Sequence, residues 1–178
     1  MKELELFKVS LWGMHINDFQ SKKEKLIKLF SGLNERRDVN SRFLTSRNKR
    51  DDRWNYITSF SDIMKSEFEL LGTHFKGKTI SIRDIWTVRY EKGDYQNTHN
   101  HGSLGLSGII YLDFPDGSPT THYIQPWNDM VSDMTITASL PVKEGDMVIT
   151  PQHLLHYTEP HKLDKPKRVI SWDMDIRE

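Results

Sequence analysis

The chain has 178 residues, and its 25 basic and 25 acidic side chains cancel at neutral pH. A net charge of zero gives no electrostatic reason to expect binding to nucleic acid or to a membrane surface. A hydrophobic fraction of 36% with 11% aromatic residues predicts a folded globular protein. This length suits a single domain, so we expect residues 1–178 to form one.

The sequence contains no cysteine, which excludes disulfides, thiolate metal sites and cysteine nucleophiles. Any bound metal must therefore be held by His, Asp or Glu. The first residues lack the continuous apolar stretch of a secretory signal, and no segment approaches the length that spans a bilayer. We therefore expect a cytoplasmic protein that binds neither nucleic acid nor membrane.

The N-terminal portion, residues 1–77, is predicted to be mainly helical, because apolar residues recur there at helical spacing. The predicted elements are a strand over Glu3–Trp12, a helix from Asn17 or Asp18 to about Phe30, and a helix from Ser59 or Ser61 to about Phe75. Between the two helices lies an arginine-rich segment, Arg36–Arg53. Such a segment is ordinarily a solvated loop, and the alternative is a surface that binds an acidic substrate or partner.

From residue 78 onward, short apolar runs alternate with turns rich in Gly, Pro and Asp. The predicted strands are Ile80–Tyr90, Leu106–Phe114, Thr121–Gln125, Met134–Leu140, Asp146–Thr150, His156–Glu159 and Arg168–Ile176. Seven short strands at this spacing predict a β-sandwich or a small barrel. The expected architecture is mainly β, with the helical portion packed against a β-barrel over residues 78–178.

The strongest chemical signal is the pair His99 and His101, which flank Asn100. On an extended strand these side chains project to the same side, about 6–7 Å apart, so that two imidazoles can converge on one metal ion. Such a pair alone is a weak signal, since it also occurs on strand surfaces. His156 follows an apolar strand and begins the next one, so it is the candidate third ligand.

Beyond His156, the apolar strand that begins at Arg168 also carries Ser171. Arg168 is either an exposed edge residue or a buried guanidinium that binds a carboxylate with help from the Ser171 hydroxyl. Residues three apart face opposite sides of a regular strand. A bulge is therefore needed to bring both to one site; otherwise only Arg168 belongs to it.

The run Trp86–His101, followed by Leu106–Leu112, resembles the core of a family of 2-oxoglutarate/Fe(II)-dependent oxygenases of marine bacteria and phages. Gly145–His156 and Arg168–Trp172 resemble the later segments of that family in the same order. The resemblance covers roughly residues 80–176. It implies a double-stranded β-helix, which is a jelly-roll or cupin-like barrel.

The same resemblance implies Fe(II) as the metal and 2-oxoglutarate as a co-substrate. It places the catalytic metal ligands at His99, His101 and His156. The middle ligand of the usual facial triad is Asp or Glu, so His101 departs from the pattern and leaves both positive charges of the iron uncompensated. Asp94 and Asp113 are near in sequence, but neither has the offset of a ligand.

For the co-substrate, the resemblance places the arginine that binds the distant carboxylate at Arg168. Tyr90 or Tyr111 would donate a further hydrogen bond to 2-oxoglutarate. The implied reaction decarboxylates 2-oxoglutarate to succinate and CO2 and hydroxylates a C–H bond of an unidentified small molecule or protein side chain.

Two other functions remain compatible with the residues. One is a three-His cupin-type enzyme that does not use 2-oxoglutarate. The other is a non-catalytic β-barrel binding or structural protein, in which the His pair has no metal. The sequence does not predict the oligomeric state.

Overall fold

The computed structural model describes residues 8–47 and 53–178, which form three helices and eleven strands. The helices are α1 (Phe19–Phe30), α2 (Arg53–Ile63) and α3 (Lys65–His74). The strands are β1 (Trp12–His15), β2 (Arg36–Arg37), β3 (Leu44–Thr45), β4 (Thr79–Tyr90), β5 (Gln96–His99), β6 (Leu106–Asp113), β7 (Thr121–Asn128), β8 (Thr135–Ser139), β9 (Asp146–Pro151), β10 (His156–Thr158) and β11 (Lys167–Arg177). No helix in these ranges is both long and apolar enough to cross a membrane.

The strands form two antiparallel sheets. The large sheet has the order β1-β9-β6-β11-β4-β3-β2, and the small sheet has the order β5-β10-β7-β8. Most strands that are adjacent in a sheet are distant in the chain, such as β6 and β11 or β5 and β10, as expected for the predicted double-stranded β-helix. The fold prediction is confirmed, including a strand at each of the seven positions proposed from residue 78 onward.

Two apolar cores lie on opposite faces of the large sheet. One packs the helices against the sheet through residues such as Phe60, Ile110 and Trp172, and the other fills the space between the sheets around Val88 and Val169. Strand β6 is buried along both faces, which explains why its sequence is a nearly continuous apolar run.

The N-terminal predictions are only partly matched. The first helix is confirmed as α1, but the second is two helices, α2 and α3, which meet at the non-helical residue Met64. The predicted strand Glu3–Trp12 begins outside the described residues, and the strand in this region is β1. The arginine-rich segment Arg36–Arg53, which was expected to be a loop, contains β2 and β3, while residues 48–52 lie outside the described part of the chain.

Gly108 of β6 leaves room for the ring of Trp172, its partner on β11. A Cβ atom there would lie 2.1 Å from the Trp172 ring. That ring is fully buried and packs against Phe60 at 5.2 Å and Phe68 at 6.1 Å between ring centroids. The Trp172 ring cannot move away from an added Cβ atom, because close-packed side chains surround it.

We expect Gly108→Ala to lower the free energy of unfolding by about 1–3 kcal/mol, the usual effect of overpacking a core. Gly72→Ala is the matched control, since Gly72 lies in α3 and an added Cβ would meet nothing within 4 Å. That control should stabilise the protein by up to about 1 kcal/mol through helix propensity. Urea unfolding of both variants checks the prediction, and equal stability would contradict it.

Candidate active site

Three histidines converge at one end of the space between the two sheets. His99 ends β5 and His156 begins β10, and these residues are direct partners in the antiparallel pairing of the two strands. His101 follows two residues after β5. One nitrogen from each of the three imidazoles lies within 4.8 Å of the others. The returning strand therefore places His156 beside His99, as the sequence predicted.

The bend after β5 turns His101 back toward the other two rings. The backbone N–H of His101 donates to the backbone carbonyl of Gln152 at 2.9 Å. The buried side-chain amide of Gln152 donates to the carbonyl of Leu106 at 3.0 Å. Gly105 has a φ of 98°, and a Cβ there would lie 2.3 Å from the Met174 carbonyl. Only glycine fits at position 105, so the turn after His101 requires it.

Hydrogen bonds fix the tautomers of His99 and His156. The Nδ1 of His99 lies 2.8 Å from the Asn97 carbonyl, and that of His156 lies 2.9 Å from the Leu154 carbonyl. A carbonyl oxygen only accepts, so each Nδ1 carries the proton and each Nε2 keeps a lone pair. Two Nε2 atoms are therefore oriented as metal ligands.

Burial keeps these imidazoles neutral. It lowers the pKa of His156 to about 3, and the neighbouring His99 contributes to the same shift. Burial also lowers the pKa of His99. A neutral imidazole is the form that binds a metal, so the site offers ligands in the required protonation state.

His101 differs from the other two histidines in its partner. Its Nδ1 lies 2.6 Å from Oδ1 of Asp173, whose carboxylate is 1% exposed and also accepts from Ser107 Oγ at 2.8 Å. Burial raises the pKa of Asp173, but the hydrogen bonds from His101 and Ser107 and the charge of Arg47 outweigh it, so the net pKa is lowered. Asp173 is therefore an ionised acceptor, and His101 donates to it through Nδ1–H.

The three imidazoles border a cavity of about 250 Å³ between the sheets. Tyr90 and Ser171, both predicted from the sequence, also line this cavity. The arrangement combines a candidate metal centre with an adjacent pocket of the size that a small organic ligand needs.

Lys167 also lines this cavity and was not predicted. Its side chain is buried, its Nζ donates to the Pro119 carbonyl at 2.9 Å, and it lies 4.2 Å from the centroid of the Tyr90 ring, its neighbour across the β4–β11 pairing. Burial lowers the pKa of Lys167 to about 7. Within the described residues, no carboxylate forms an ion pair with it.

Arg168 points away from the cavity. It lies on the opposite face of β11 and pairs with Asp113, which also binds Lys23 of α1 at 2.8 Å. The pairing of β11 with β4 is regular from Lys167 to Asp173, and the register shift against β6 between Arg168 and Val169 skips a residue of β6, Leu112. The side chains of β11 therefore alternate, so Lys167 and Ser171 share the cavity face and Arg168 does not. The structure therefore separates Arg168 from the other predicted residues and corrects the face assigned to it.

The two predicted tyrosines have different positions. The Tyr90 hydroxyl donates to Oε1 of Gln96 at 2.7 Å, and the Gln96 amide nitrogen lies 3.0 Å from Nε2 of His99. Tyr111 is buried in the core between the sheets, where its hydroxyl donates to Thr121 Oγ1 at 3.2 Å. Tyr111 is outside the cavity lining. Of the two predicted tyrosines, Tyr90 is therefore the one that a bound co-substrate could contact.

Sequence reasoning missed three residues of the site. Tyr123 lines the cavity, with its ring 6.0 Å from that of His156, and no sequence pattern indicated it. Lys167 and Asp173 could have been found, because each is an even number of residues from Ser171 and so shares its face. Asp94, which was considered as a source of a carboxylate, instead binds Arg37 at 2.6 Å.

Comparison with known proteins supports this geometry. Residues 84–173, just over half of the chain, match the model of the family described as "Putative 2OG-Fe(II) oxygenase", where 2OG is 2-oxoglutarate. The chain belongs to this oxygenase family. The match contains all three histidines of the cluster together with Lys167 and Asp173. No curated protein sequence matches this oxygenase.

Solved structures share the fold of the oxygenase at low sequence identity. A 2OG-Fe(II) oxygenase family protein from Burkholderia pseudomallei has a TM-score of 0.68 at 12% identity, covering 93% of this chain and 84% of that one. HygX from Streptomyces hygroscopicus, solved with nickel and 2-oxoglutarate bound, has a TM-score of 0.70 at 11% identity, covering 94% and 83%. A Pseudomonas putida prolyl-4-hydroxylase has a TM-score of 0.57 at 10% identity, covering 94% and 93%.

If the three histidines are the metal ligands, His99→Ala or His156→Ala should weaken Fe(II) binding by more than about 100-fold, since losing a ligand costs more than losing one of its outer partners. His153→Ala is the control, because His153 is exposed and lies outside the cluster. Anaerobic Fe(II) titration by calorimetry measures all three. Equal affinity in His156→Ala and His153→Ala would contradict the assignment.

Proposed function

We propose that this oxygenase hydroxylates a C–H bond of its substrate, with Fe(II) held by His99, His101 and His156 and with 2-oxoglutarate bound by Lys167. The observation that carries the proposal is that a three-imidazole cluster and an unpaired buried lysine line one cavity. Imidazole ligands suit iron in the divalent state. Of the three functions considered from the sequence, the family match favours this one.

Lys167 supplies the charge that recognises the co-substrate. A buried ammonium without a counter-ion is costly, and the terminal carboxylate of 2-oxoglutarate would remove that cost. Among residues 8–47 and 53–178, the Pro119 carbonyl is the one acceptor for its three N–H donors. Two donors therefore remain for a carboxylate.

Fe(II) with 2-oxoglutarate and O2 supplies the oxidising power, with succinate and CO2 as the co-products. The protein's own task is to position the reactants and exclude water. Val88, Ile109 and Val169 provide apolar walls to the cavity. These walls keep water from the reacting centre and strengthen the attraction between Lys167 and an anion.

The Gln96 side chain occupies the ligand side of His99. Its amide donates to the Nε2 lone pair, and its Oε1 accepts from the Tyr90 hydroxyl. A metal would take that lone pair, so the Gln96 side chain has to turn away on metal binding. The same movement frees the Tyr90 hydroxyl to donate to 2-oxoglutarate.

The substrate approaches, we propose, along the segment that contains β2 and β3. Arg36, Asp38, Asn40 and Ser41 from this segment line the cavity and make that side polar. Arg36 forms no ion pair with a described residue, which favours a polar substrate with an anionic group. Among the structural neighbours, one HygX structure contains hygromycin B. Both substrate classes, small molecule and protein side chain, remain proposals, and the cytoplasmic location stays a prediction.

The reaction class is tested by succinate release with Fe(II), 2-oxoglutarate and O2. Wild-type protein should release succinate slowly even without its substrate, and His99→Ala should not. Under anaerobic conditions, the Fe(II) protein should also develop a weak visible charge-transfer band on adding 2-oxoglutarate. A protein that binds Fe(II) but shows neither succinate nor the band would instead be a three-His enzyme that does not use the co-substrate.

The neighbouring cations of β11 provide a matched test of co-substrate binding. Lys167→Gln should weaken 2-oxoglutarate binding by about 2 kcal/mol or more, roughly 30-fold, because a buried charge pair is lost. Arg168→Gln should leave it unchanged, since that side chain pairs with Asp113 on the far face. Titrating the charge-transfer band gives both dissociation constants. A larger effect in Arg168→Gln would restore the original prediction.

The depressed pKa of Lys167 predicts a pH dependence of co-substrate binding. Burial holds that pKa at about 7, and only the protonated lysine attracts the carboxylate. The titratable side chain of Tyr90 lies beside Lys167. Burial raises the pKa of Tyr90, so its hydroxyl stays neutral. The dissociation constant should therefore rise above pH 7, by up to about tenfold per pH unit, and Lys167→Gln should flatten this rise. A flat wild-type profile from pH 7 to 9 would contradict the prediction.

A further inference from the structure

The carboxylate of Asp173 lies directly behind one of the three candidate ligands. It is 1% exposed, and its Oδ1 is 2.6 Å from Nδ1 of His101. Ser107 and Arg47 also donate to Asp173, at 2.8 Å and 3.2 Å. This is the arrangement in which an outer carboxylate orients a metal-bound imidazole and raises its basicity.

The three ligands are not equivalent in this respect. The Nδ1 atoms of His99 and His156 face neutral backbone carbonyls, whereas that of His101 faces the buried Asp173 carboxylate. His101 is also the position at which a facial triad has its own carboxylate. The three ligands carry no negative charge, but the Asp173 carboxylate is hydrogen-bonded to His101 and so lies directly behind that ligand.

This charge matters because the site is partly buried. Three neutral imidazoles leave both positive charges of Fe(II) uncompensated, and in a poorly solvated pocket an unbalanced charge interacts strongly with its surroundings. A carboxylate hydrogen-bonded to Nδ1–H gives the imidazole partial imidazolate character. His101 then donates more electron density through Nε2 than the other two ligands do.

We propose that Asp173 is the positioning residue that lets His101 replace the usual carboxylate ligand: it fixes the ring orientation and supplies the missing negative charge through Nδ1–H. The proposal rests on the proposed function, because it requires the three histidines to hold iron. It adds a residue that touches neither the metal nor the co-substrate.

Arg47 opposes this effect. Its guanidinium lies 3.2 Å from Oδ2 of Asp173 and 4.1 Å from the centroid of the Trp86 ring, and Trp86 stacks on His101. The arginine therefore withdraws part of the Asp173 charge from His101. Since Arg47 also lines the cavity, it links the charge behind His101 to the pocket.

Two substitutions separate charge from orientation. Asp173→Asn keeps a carbonyl oxygen that can accept from Nδ1–H but removes the charge, whereas Asp173→Ala removes both. We expect Asp173→Asn to weaken Fe(II) binding about 10–100-fold, the usual range for outer-shell partners, and to raise the Fe(III)/Fe(II) potential. Asp173→Ala should weaken binding further. Asp175→Asn is the matched control, because Asp175 lies on the same strand and pairs with Arg83 and Arg177.

A double-mutant cycle with His101→Asp excludes a merely structural role. In the His101→Asp protein the metal has a direct carboxylate ligand, so removing the Asp173 charge should no longer weaken Fe(II) binding and should relieve repulsion between two acids. If Asp173 only stabilises the fold, Asp173→Asn will reduce Fe(II) affinity equally in both backgrounds. That equal loss would overturn the proposal.

Arg47→Gln provides the test that does not depend on the folding of the Asp173 variants, since Arg47 is an exposed side chain. Removing its charge should lower the Fe(III)/Fe(II) potential, opposite to the shift in Asp173→Asn. An unchanged or raised potential would overturn the proposal. If wild-type protein binds no Fe(II), the proposed function and this inference both fail; if it binds Fe(II) and the cycle shows no coupling, only this inference fails.

Discussion

The alternation of side chains along β11 is the constraint on which the site depends. This strand lies at the centre of the large sheet, paired with β4 on one side and β6 on the other. One face carries Lys167, Ser171 and Asp173 into the region of the cavity, and the other face presents Trp172 to the helices. A shift of the strand by one residue would exchange the two sets and destroy the site and the core together.

The two buried charged residues of this strand, Asp173 and Lys167, differ in how their charges are compensated. Asp173 is fully supplied with donors from within the protein, so its charge is stable without any ligand. Lys167 has one carbonyl partner and an aromatic face, which leaves its charge poorly compensated. Burial without a counter-charge lowers the pKa of Lys167. This is the reason for proposing that the lysine binds an anionic ligand.

The segment with β2 and β3 is held against the barrel by ion pairs as well as by the buried Phe43 ring and the pairing of β3 with β4. Glu35 binds Arg89 at 2.9 Å, and Arg37 binds the buried Asp94 at 2.6 Å. These contacts explain why an arginine-rich stretch that reads as a solvated loop forms one wall of the cavity. The part of the segment that the structure describes thereby brings Arg36 and Arg47 to the pocket.

The sequence alone determined the architecture and the cluster of three histidines. Short apolar runs bounded by turns are local signals, so they predicted the strands. The His-x-His pair and a distant histidine at the start of a later strand predicted the three rings, and the register of β5 and β10 brings His99 and His156 together. What only the tertiary structure decided is which neighbouring residue faces inward and which charges have partners. Lys167 and Arg168 are adjacent and chemically alike, and their separation depends on the face of β11 that meets the small sheet. The carboxylate behind His101 comes from Asp173, 72 residues away, because hydrogen bonds between distant segments are set by packing and not by local pattern.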